Sequence, residues 1–221
     1  LLGRLWSLMN PLASMLIYTF IFSLVFRIQP EPGDPSGLNL FPLWLMCGLL
    51  PWGFFATSIN TTANSLLSNA GLISKVYFPR GVLPLAAVGI SGTNWLLEML
   101  VLLVALLLAG AQVVIWIPGA LFFMVLLALF ASGLGWILSI ANLHFRDIQD
   151  LLSILLQLWM YLTPIIYPVS LIKDLSDRVG NLLGSSLTLF DVYTFNPMYH
   201  FVMAFRQLLY DNRWPDTIHL V

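Results

Sequence analysis

Five long apolar stretches, separated by short loops that hold nearly all of the charged residues, dominate this sequence. A hydrocarbon core about 30 Å thick needs roughly 20 apolar helical residues to cross it. Only 9% of the residues are charged and 59% are hydrophobic. The stretches lack the alternating pattern of a membrane barrel, and backbone groups cannot stay unpaired in lipid, so we predict an all-α polytopic membrane bundle. The predicted spans are Leu8 to Phe26, Leu40 to Thr61, Val82 to Ala109, Val113 to Ala141 and Leu151 to Val169.

Both ends of the sequence look cut. It opens without Met, and another apolar run starts between Trp214 and Val221, so we expect a sixth span in the natural protein. Basic residues near the span ends hardly decide the orientation. With the N-terminus inside, one side holds Arg4, Lys75, Arg80 and Arg146, and the other holds Arg27, Lys173, Arg178, Arg206 and Arg213.

Patterns for catalysis and for nucleotide binding are missing from the sequence. His144, His200 and His219 lie far apart and lack the spacing of zinc ligands. A Walker loop needs lysine directly after glycine, and neither Lys75 nor Lys173 follows one. We therefore predict no catalytic residue, metal site or cofactor in this chain. The formal charge of −1 and the lack of a basic cluster argue against a nucleic-acid partner.

One acidic residue, Glu98, lies inside a predicted span. An ionisable group at membrane depth is expensive, so it should face a polar cavity, find a partner or stay protonated. It could be the coupling carboxylate of a proton-driven carrier or a hydrogen-bonded structural residue. We favour the structural interpretation because no second charge lies near it within a span.

Small residues recur at a spacing of four in the fourth span, at Ala131, Gly135 and Ser139. Small side chains let helix backbones approach closely in membranes. The pattern indicates a packed interface, either within the bundle or between two copies.

Aromatic residues crowd the second and fifth spans. Rings near span ends suit the membrane interface. Others could line a conduit, because a rigid ring offers sugar C–H groups an apolar platform. The candidates for contact with a glycan are Trp44, Trp52, Phe54, Phe55, Trp159, Tyr161 and Tyr167.

The loop from Asn64 to Arg80 carries apolar residues near helical spacing, with Ser, Asn and Lys between them. This pattern predicts an amphipathic helix on the membrane surface. Pro79 and Pro84 restrict the entry to the third span, so we expect a stiff lever joined to the bundle.

Six motifs, in order and over almost the whole chain, resemble the ABC-2 type permeases that export polysaccharides and teichoic acids. They are LGRLWSLMNPL (2–12), GLLPWGFF (48–55), KVYFPR (75–80), HFRDIQDLL (144–152), YLTPIIYP (161–168) and NPMYHFVMAFR (196–206). The resemblance implies one ABC-2 (type V ABC exporter) transmembrane domain over residues 1–221, truncated at both ends.

The resemblance also implies the surroundings of the chain. The protein would be a multi-pass protein of the bacterial cytoplasmic membrane with a cytoplasmic N-terminus. Two permease copies would pair, and two copies of a separate ABC ATPase subunit would carry ATP and Mg. Residues 64–80 would hold the coupling helix. The implied ATPase-coupling residues are Asn69, Lys75, Val76, Tyr77, Phe78, Pro79, Arg80, Arg146 and Asp147.

Residues 171–210 resemble the family's extracytoplasmic gate, in which short re-entrant helices follow the fifth span. Leu171, Leu175, Val179 and Leu182 form an apolar stripe, and Asp174 can pair with Arg178 at a spacing of four. The implied gate residues are Asn196, Pro197 and Arg206.

The function expected from this resemblance is export of a lipid-linked polysaccharide, such as O-antigen, capsule, teichoic acid or another cell-wall glycan, driven by ATP hydrolysis on the partner. Three alternatives stay open. They are an ABC-2 exporter of a lipid or drug, an ion-coupled carrier that uses Glu98, and a membrane-embedded glycan enzyme, for which the sequence lacks a catalytic cluster.

Overall fold

The computed structural model describes residues 13, 16–17, 20–21, 32–145, 147–180 and 188–215. Most of the predicted first span, Arg146, Leu182 and nearly all of the predicted start of a sixth span lie outside these residues. Within the described ranges the regular structure is helical and contains no strand, as predicted. The helices are α1 (Phe41–Ser68), α2 (Ala70–Ile73), α3 (Val82–Leu108), α4 (Ile117–His144), α5 (Ile148–Tyr161), α6 (Val169–Val179), α7 (Leu189–Thr194) and α8 (Pro197–Arg206).

Three helical segments are long and apolar enough to cross a membrane. They are α1, α3 and the segment Val113–His144, in which a 3-10 turn (Val113–Trp116) leads into α4. At 1.5 Å per residue, the 28 residues of α1 reach about 42 Å. The second, third and fourth predicted spans are therefore confirmed as helices, and α1 continues past the predicted end at Thr61 to Ser68.

The fifth predicted span, Leu151 to Val169, is wrong as a single helix. Helix α5 ends at Tyr161, and its 14 residues reach only about 21 Å, less than the thickness of the hydrocarbon core. Pro164 explains the break, because proline has no N–H and disfavours helical backbone at the preceding Thr163. Residues 162–168 form turns before α6 begins at Val169.

Helix α1 lies at the centre of the bundle and packs against α3, α4 and α8. Gly135 of α4 sits so close to α1 that a Cβ there would lie 2.6 Å from Thr62 Cγ2. The Asn142 amide Nδ2 donates to the carbonyl O of Ala63 at 3.0 Å. Ala131 and Ser139 are buried with Gly135. The stripe of small residues therefore packs helices within this chain.

A π-helical segment, Gln207–Asp211, follows α8 directly. Its residues Leu208, Leu209 and Tyr210 are fully buried. The chain thus returns from the short helices α6 to α8 into the bundle core, which anchors that region to α1.

Candidate functional site

The segment after α1, residues 69–80, is named the coupling segment here after the sequence prediction. The predicted amphipathic helix from Asn64 to Arg80 is wrong. Residues up to Ser68 belong to α1, and only Ala70–Ile73 form a further helical turn. The break has a local cause at Asn69, whose Nδ2 donates to Ser65 O at 2.8 Å and whose backbone N–H is directed to Leu67 O. Asparagine side chains compete in this way with helical hydrogen bonds.

The tip of the coupling segment presents apolar and basic side chains to the outside. Tyr77 is completely exposed, and Val76 and Leu72 are 53% and 47% exposed. Lys75 and Arg80 are exposed beside them. The segment encloses a shallow cavity of about 270 Å³, lined by residues 73–78 and 80.

An exposed aromatic tip flanked by cations has the composition of a docking surface. The remaining predicted coupling residues lie as follows: Phe78 is half-buried, Pro79 and Asp147 are exposed, and Arg146 lies outside the described residues. Contact of this surface with an ATPase stays a prediction.

Asn196 joins the start of α8 to the end of α5. Its Oδ1 accepts from Trp159 Nε1 at 2.7 Å and from the Met198 backbone N–H at 3.0 Å, the latter as an N-cap. Its Nδ2 donates to Thr163 Oγ1 at 2.9 Å. Pro197 takes the first helical position, where its missing N–H removes no helical bond. The structure confirms that Asn196-Pro197 begins a helix.

Arg206, the last residue of α8, is only 3% exposed and ties three elements together. Its Nη1 donates to the carbonyl O of Pro164 at 2.7 Å, and its Nη2 donates to Ile165 O. Its guanidinium carbon lies 3.6 Å from the ring centroid of Trp44 on α1. Gly48 makes room for it, since a Cβ there would lie 3.1 Å from Nη2. Arg206 is thus a cross-link between α8, the turn after α5, and α1.

Tyr210 also holds the start of α1, and Asp211 follows it. The Tyr210 hydroxyl donates to Leu38 O at 2.8 Å and accepts from the Leu40 N–H at 3.1 Å. Asp211 Oδ2 lies 3.6 Å from Arg213 Nε. Burial raises the pKa of the Asp211 carboxyl to about 6, although the nearby Arg213 opposes the shift.

Helix α6 turns its predicted apolar stripe away from the rest of the chain. Leu171, Leu175 and Val179 are between 51% and 57% exposed, whereas Ile172 and Ser176 are buried. The helix itself is confirmed. Its exposed apolar face suits contact with lipid or with another chain.

The predicted ion pair between Asp174 and Arg178 is wrong, since no contact within 4.0 Å joins these two described side chains. Exposed pairs gain little in water. Helix α6 is held to α7 by other contacts. The Phe190 N–H donates to Ser176 Oγ at 3.2 Å, and Lys173 Nζ lies 5.3 Å from the Phe190 ring centroid.

Helix α7 begins at a complete capping box. Thr188 Oγ1 accepts from the Asp191 N–H at 3.2 Å, and Asp191 Oδ2 accepts from the Thr188 N–H at 2.7 Å. Hydrogen bonds from the Thr188 backbone and hydroxyl lower the pKa of Asp191. The cap fixes where the chain turns between α6 and α8.

Four of the seven aromatic residues predicted to contact glycan are buried inside the bundle. Trp44, Trp52, Phe54 and Phe55 are at most 8% exposed. Phe54 stacks on Trp95 of α3 with centroids 4.2 Å apart. A role for these four residues in a conduit would require the bundle to open, because their rings already have partners within this chain.

The other three aromatic candidates lie at the end of α5 and in the turns that follow it. Trp159 contacts Trp52 edge-on at 6.2 Å between centroids, Tyr161 is 59% exposed, and the Tyr167 hydroxyl donates to Tyr161 O at 2.7 Å. Beside them is a cavity of about 310 Å³, named here the gate cavity. Its lining residues are Trp159, Leu162, Val192, Tyr193, Phe195, Asn196 and Pro197.

Glu98 is half-buried near the middle of α3. None of the described side chains forms an ion pair or hydrogen bond with it. The hydrogen-bonded structural role favoured from the sequence is therefore not seen among the described residues.

Sequence reasoning missed several residues that build this region. Gly48 lies within one of the quoted motifs, yet only the structure shows that it accommodates Arg206. Thr163 and Tyr210 act through hydrogen bonds to residues distant in the chain. The only sequence signal for this region was the proline after Thr163, because a proline indicates that a helix ends near it.

Comparison with known proteins is informative over nearly the whole chain. A family described as ABC-2 type transporter matches residues 1–210. The O-antigen export system permease protein RfbA of Myxococcus xanthus is 35% identical over 217 residues, which cover 98% of this chain and 76% of that protein. RfbA of Klebsiella pneumoniae is 32% identical over 207 residues, covering 93% and 72%. The polysialic acid transport protein KpsM of Escherichia coli is 26% identical over 179 residues, covering 76% and 63%.

Proposed function

The chain belongs to the ABC-2 type transporter family, and on that premise we propose that it is the permease subunit of an ABC exporter that carries a lipid-linked polysaccharide across the cytoplasmic membrane. The observation that carries the proposal is the match of 93–98% of the chain to permeases named for O-antigen export. ATP hydrolysis takes place on a separate ATPase subunit, and this chain supplies the membrane path and the coupling surface.

The assembly that we propose contains two permease copies and two ATPase subunits, with ATP and Mg bound by the ATPases. The permease has a cytoplasmic N-terminus, so the coupling segment faces the cytoplasm and the gate cavity opens on the other side. The exposed Tyr77 tip supports this orientation, because it offers a cytoplasmic partner an apolar anchor between two cations.

Helix α1 offers a mechanical route between these two ends. It leads directly into the coupling segment at Ser68. At its other end, Trp44 packs on Arg206, and the backbone at Leu40 bonds to Tyr210. Because a helix is stiff along its axis, a displacement imposed on the coupling segment is carried to the cross-linked gate residues. ATP-driven closure of the ATPases thus opens a path for the polysaccharide.

A second candidate function is an ABC-2 exporter of a lipid or drug, which the mostly apolar and aromatic lining of the gate cavity favours. An ion-coupled carrier is less well supported. Within α1, α3 and Val113–His144, Glu98 is the one acidic or basic residue apart from histidine. A proton relay needs a second such group.

The proposal is tested by purifying the natural protein from its own membranes and identifying partners by mass spectrometry. We expect a stoichiometric ABC ATPase. In that complex, replacing Tyr77 and Phe78 by Ala should weaken ATPase binding about 30-fold and abolish stimulated ATP turnover, since a docked aromatic anchor contributes about 2 kcal/mol.

Phe122→Ala is the matched control, because Phe122 is an aromatic residue of α4 that is 55% exposed and lies outside the coupling segment. Its turnover should equal that of the wild type. Unchanged turnover in the Tyr77/Phe78 variant would reject the coupling surface. Reproducible absence of an ATPase, with intact permease recovered, would reject the exporter.

A further inference from the structure

The exposed face of α1 differs in chemistry from that of an ordinary lipid-facing helix. The exposed residues of α1 lie between Gly53 and Ser68 and are polar or glycine, and two half-buried asparagines lie beside them. The positions follow helical spacing and therefore share one side of the helix. This polar stripe consists of Gly53, Thr57, Asn60, Thr61, Asn64 and Ser68.

The other two long helices provide an internal comparison. The outward positions of α3 and α4 mostly carry large aliphatic side chains, such as Ile90, Leu100, Leu129 and Ile137, which are 59–66% exposed. Those faces suit hydrocarbon. Large hydrophobic residues with comparable exposure are absent from the whole of α1. The contrast within one bundle indicates that the polar stripe does not face lipid.

Hydrogen bonding within α1 satisfies only part of the stripe. Thr61 Oγ1 donates to Thr57 O at 2.8 Å, and Asn60 Nδ2 donates to Ala56 O at 3.0 Å. Among the described residues, the Asn64 amide and the Thr57 hydroxyl have no hydrogen-bond partner. An unpaired amide in hydrocarbon costs several kcal/mol. As far as the described residues show, the stripe therefore suits contact with water or with a polar molecule.

The stripe connects the two functional ends of the chain. From Gly53 to Ser68 it extends about 22 Å along the helix. Ser68 adjoins the coupling segment, and Gly53 lies next to Trp52, whose ring contacts Trp159 at the gate cavity. No side chain within 4 Å would obstruct a Cβ at Gly53, so the space beside it is open.

The side chains of the polar stripe indicate which kind of molecule can lie against it. Helix α1 contains no charged residue, so it offers no cation for a phosphate group. Hydroxyl and amide groups form neutral hydrogen bonds that exchange readily with sugar hydroxyls and water. Their weakness permits sliding, which tight charged contacts would prevent.

We infer that the polar stripe is one wall of the hydrated path and contacts the hydroxyl groups of the moving polysaccharide. This inference rests on the proposed function and deepens it, because it assigns the wall to the uncharged sugar part of the substrate. It also assigns the path to a helix face that lacks aromatic rings.

Cysteine labelling in the complete natural complex, in its own membranes, tests the inference. Cys47, the one cysteine of this sequence, is fully buried and is replaced by Ala, as is any reactive cysteine elsewhere in the complex. Cysteines are then placed at Thr57 and Thr61. A charged methanethiosulfonate reagent reacts with the thiolate, so its rate reports hydration, and we expect labelling at least about tenfold faster than at a lipid-facing site.

Leu129→Cys is the matched lipid-facing control. Leu129 is 63% exposed, and it lies at the depth of Thr57, because the adjacent Phe130 stacks on Phe55 with centroids 5.6 Å apart. The labelling is repeated in cells whose polysaccharide synthesis is blocked. We expect the cysteine at position 57 to react faster there, since the sugar chain no longer shields it.

Equal, slow labelling at positions 57 and 129 would show that lipid or another helix covers the stripe, and would overturn the inference. A disulfide between two copies through position 57 would identify a second chain as the occupant, and would overturn it as well. Fast labelling that ignores polysaccharide synthesis would refute the sugar contact.

Thr57→Val supplies a test that does not depend on labelling, and it breaks no hydrogen bond of a described side chain, whereas the Thr61 hydroxyl bonds to Thr57 O. The substitution keeps the side-chain shape and removes the hydroxyl, so export should slow several-fold at an unchanged protein level. A wild-type rate would count against the inference. Surface polysaccharide is measured in every strain. If the wild-type protein exports polysaccharide but the stripe is not labelled, this inference alone is refuted. If the wild-type protein exports no polysaccharide, the proposed function is refuted.

Discussion

Removal of the Arg206 side chain should loosen the turn after α5 without unfolding the bundle. Each hydrogen bond from its guanidinium to the carbonyls of Pro164 and Ile165 contributes about 1.5–3 kcal/mol, and the desolvated contact with Trp44 about 2 kcal/mol. Relief of the buried charge offsets part of this stabilisation. We therefore expect Arg206→Ala to destabilise the turn by about 3 kcal/mol.

The change is measured by hydrogen–deuterium exchange of peptides that cover residues 162–168 in the purified complex. A loss of about 3 kcal/mol speeds exchange by local opening about 100-fold. Arg206→Lys, which keeps the charge but loses the planar fork, should give an intermediate rate.

Arg178→Ala is the control for this experiment, because Arg178 is an exposed arginine of α6 with no ion pair within 4.0 Å to Asp174. Its exchange should match that of the wild type. If Arg206→Ala left exchange in the turn within about threefold of the wild type, a difference worth only about 0.7 kcal/mol, the cross-link would carry no stability and the reasoning would fail.

Two further predictions concern packing and pH. Gly135→Ala should lower the melting temperature of the complex, because its Cβ would press on Thr62 at 2.6 Å and overpacking costs about 1–3 kcal/mol. Gly133→Ala, whose Cβ would meet nothing within 4 Å, should leave it unchanged or raise it. Since burial raises the pKa of Asp211 from 3.8 to about 6, the folded state binds more protons than the unfolded state between these values, and stability falls as pH rises through that window. Asp211→Asn should flatten this slope in thermal unfolding curves, whereas Asp174→Asn, on exposed α6, should preserve it.

The membrane helices could be predicted from the sequence because a span follows from a single local property. An apolar run of sufficient length has one stable solution in lipid, and α1, α3 and α4 follow it. The close packing at Gly135 was also visible, as a spacing of small residues. Its partner helix was not, since spacing does not specify what a helix packs against.

The errors arose where a polar or proline residue overrides the apolar pattern. Asn69 ends α1 through its own side-chain hydrogen bond, although the spacing of the apolar residues around it favoured a helix through to Arg80. Pro164 ends the helical run within what looked like one continuous span. In both cases one residue outweighed the periodicity of its neighbours.

The central contact of the candidate site was beyond sequence reasoning. Arg206 and Trp44 were each singled out, but for different roles, and no local pattern pairs residues so distant in the chain. The polar run from Thr57 to Ser68 was readable as polar, yet its exposure on one face of α1 became evident only in the folded bundle.

The exposed tip of the coupling segment also bears on how the exporter is assembled. A fully exposed tyrosine in an irregular surface segment is the kind of site that proteases cleave and chaperones recognise. In the proposed assembly the ATPase covers this tip, so a permease synthesised in excess of its ATPase would leave the tip open to proteases. On that proposal, balanced production of the two subunits would govern how many permeases survive, because the ATPase would protect the chain that it drives.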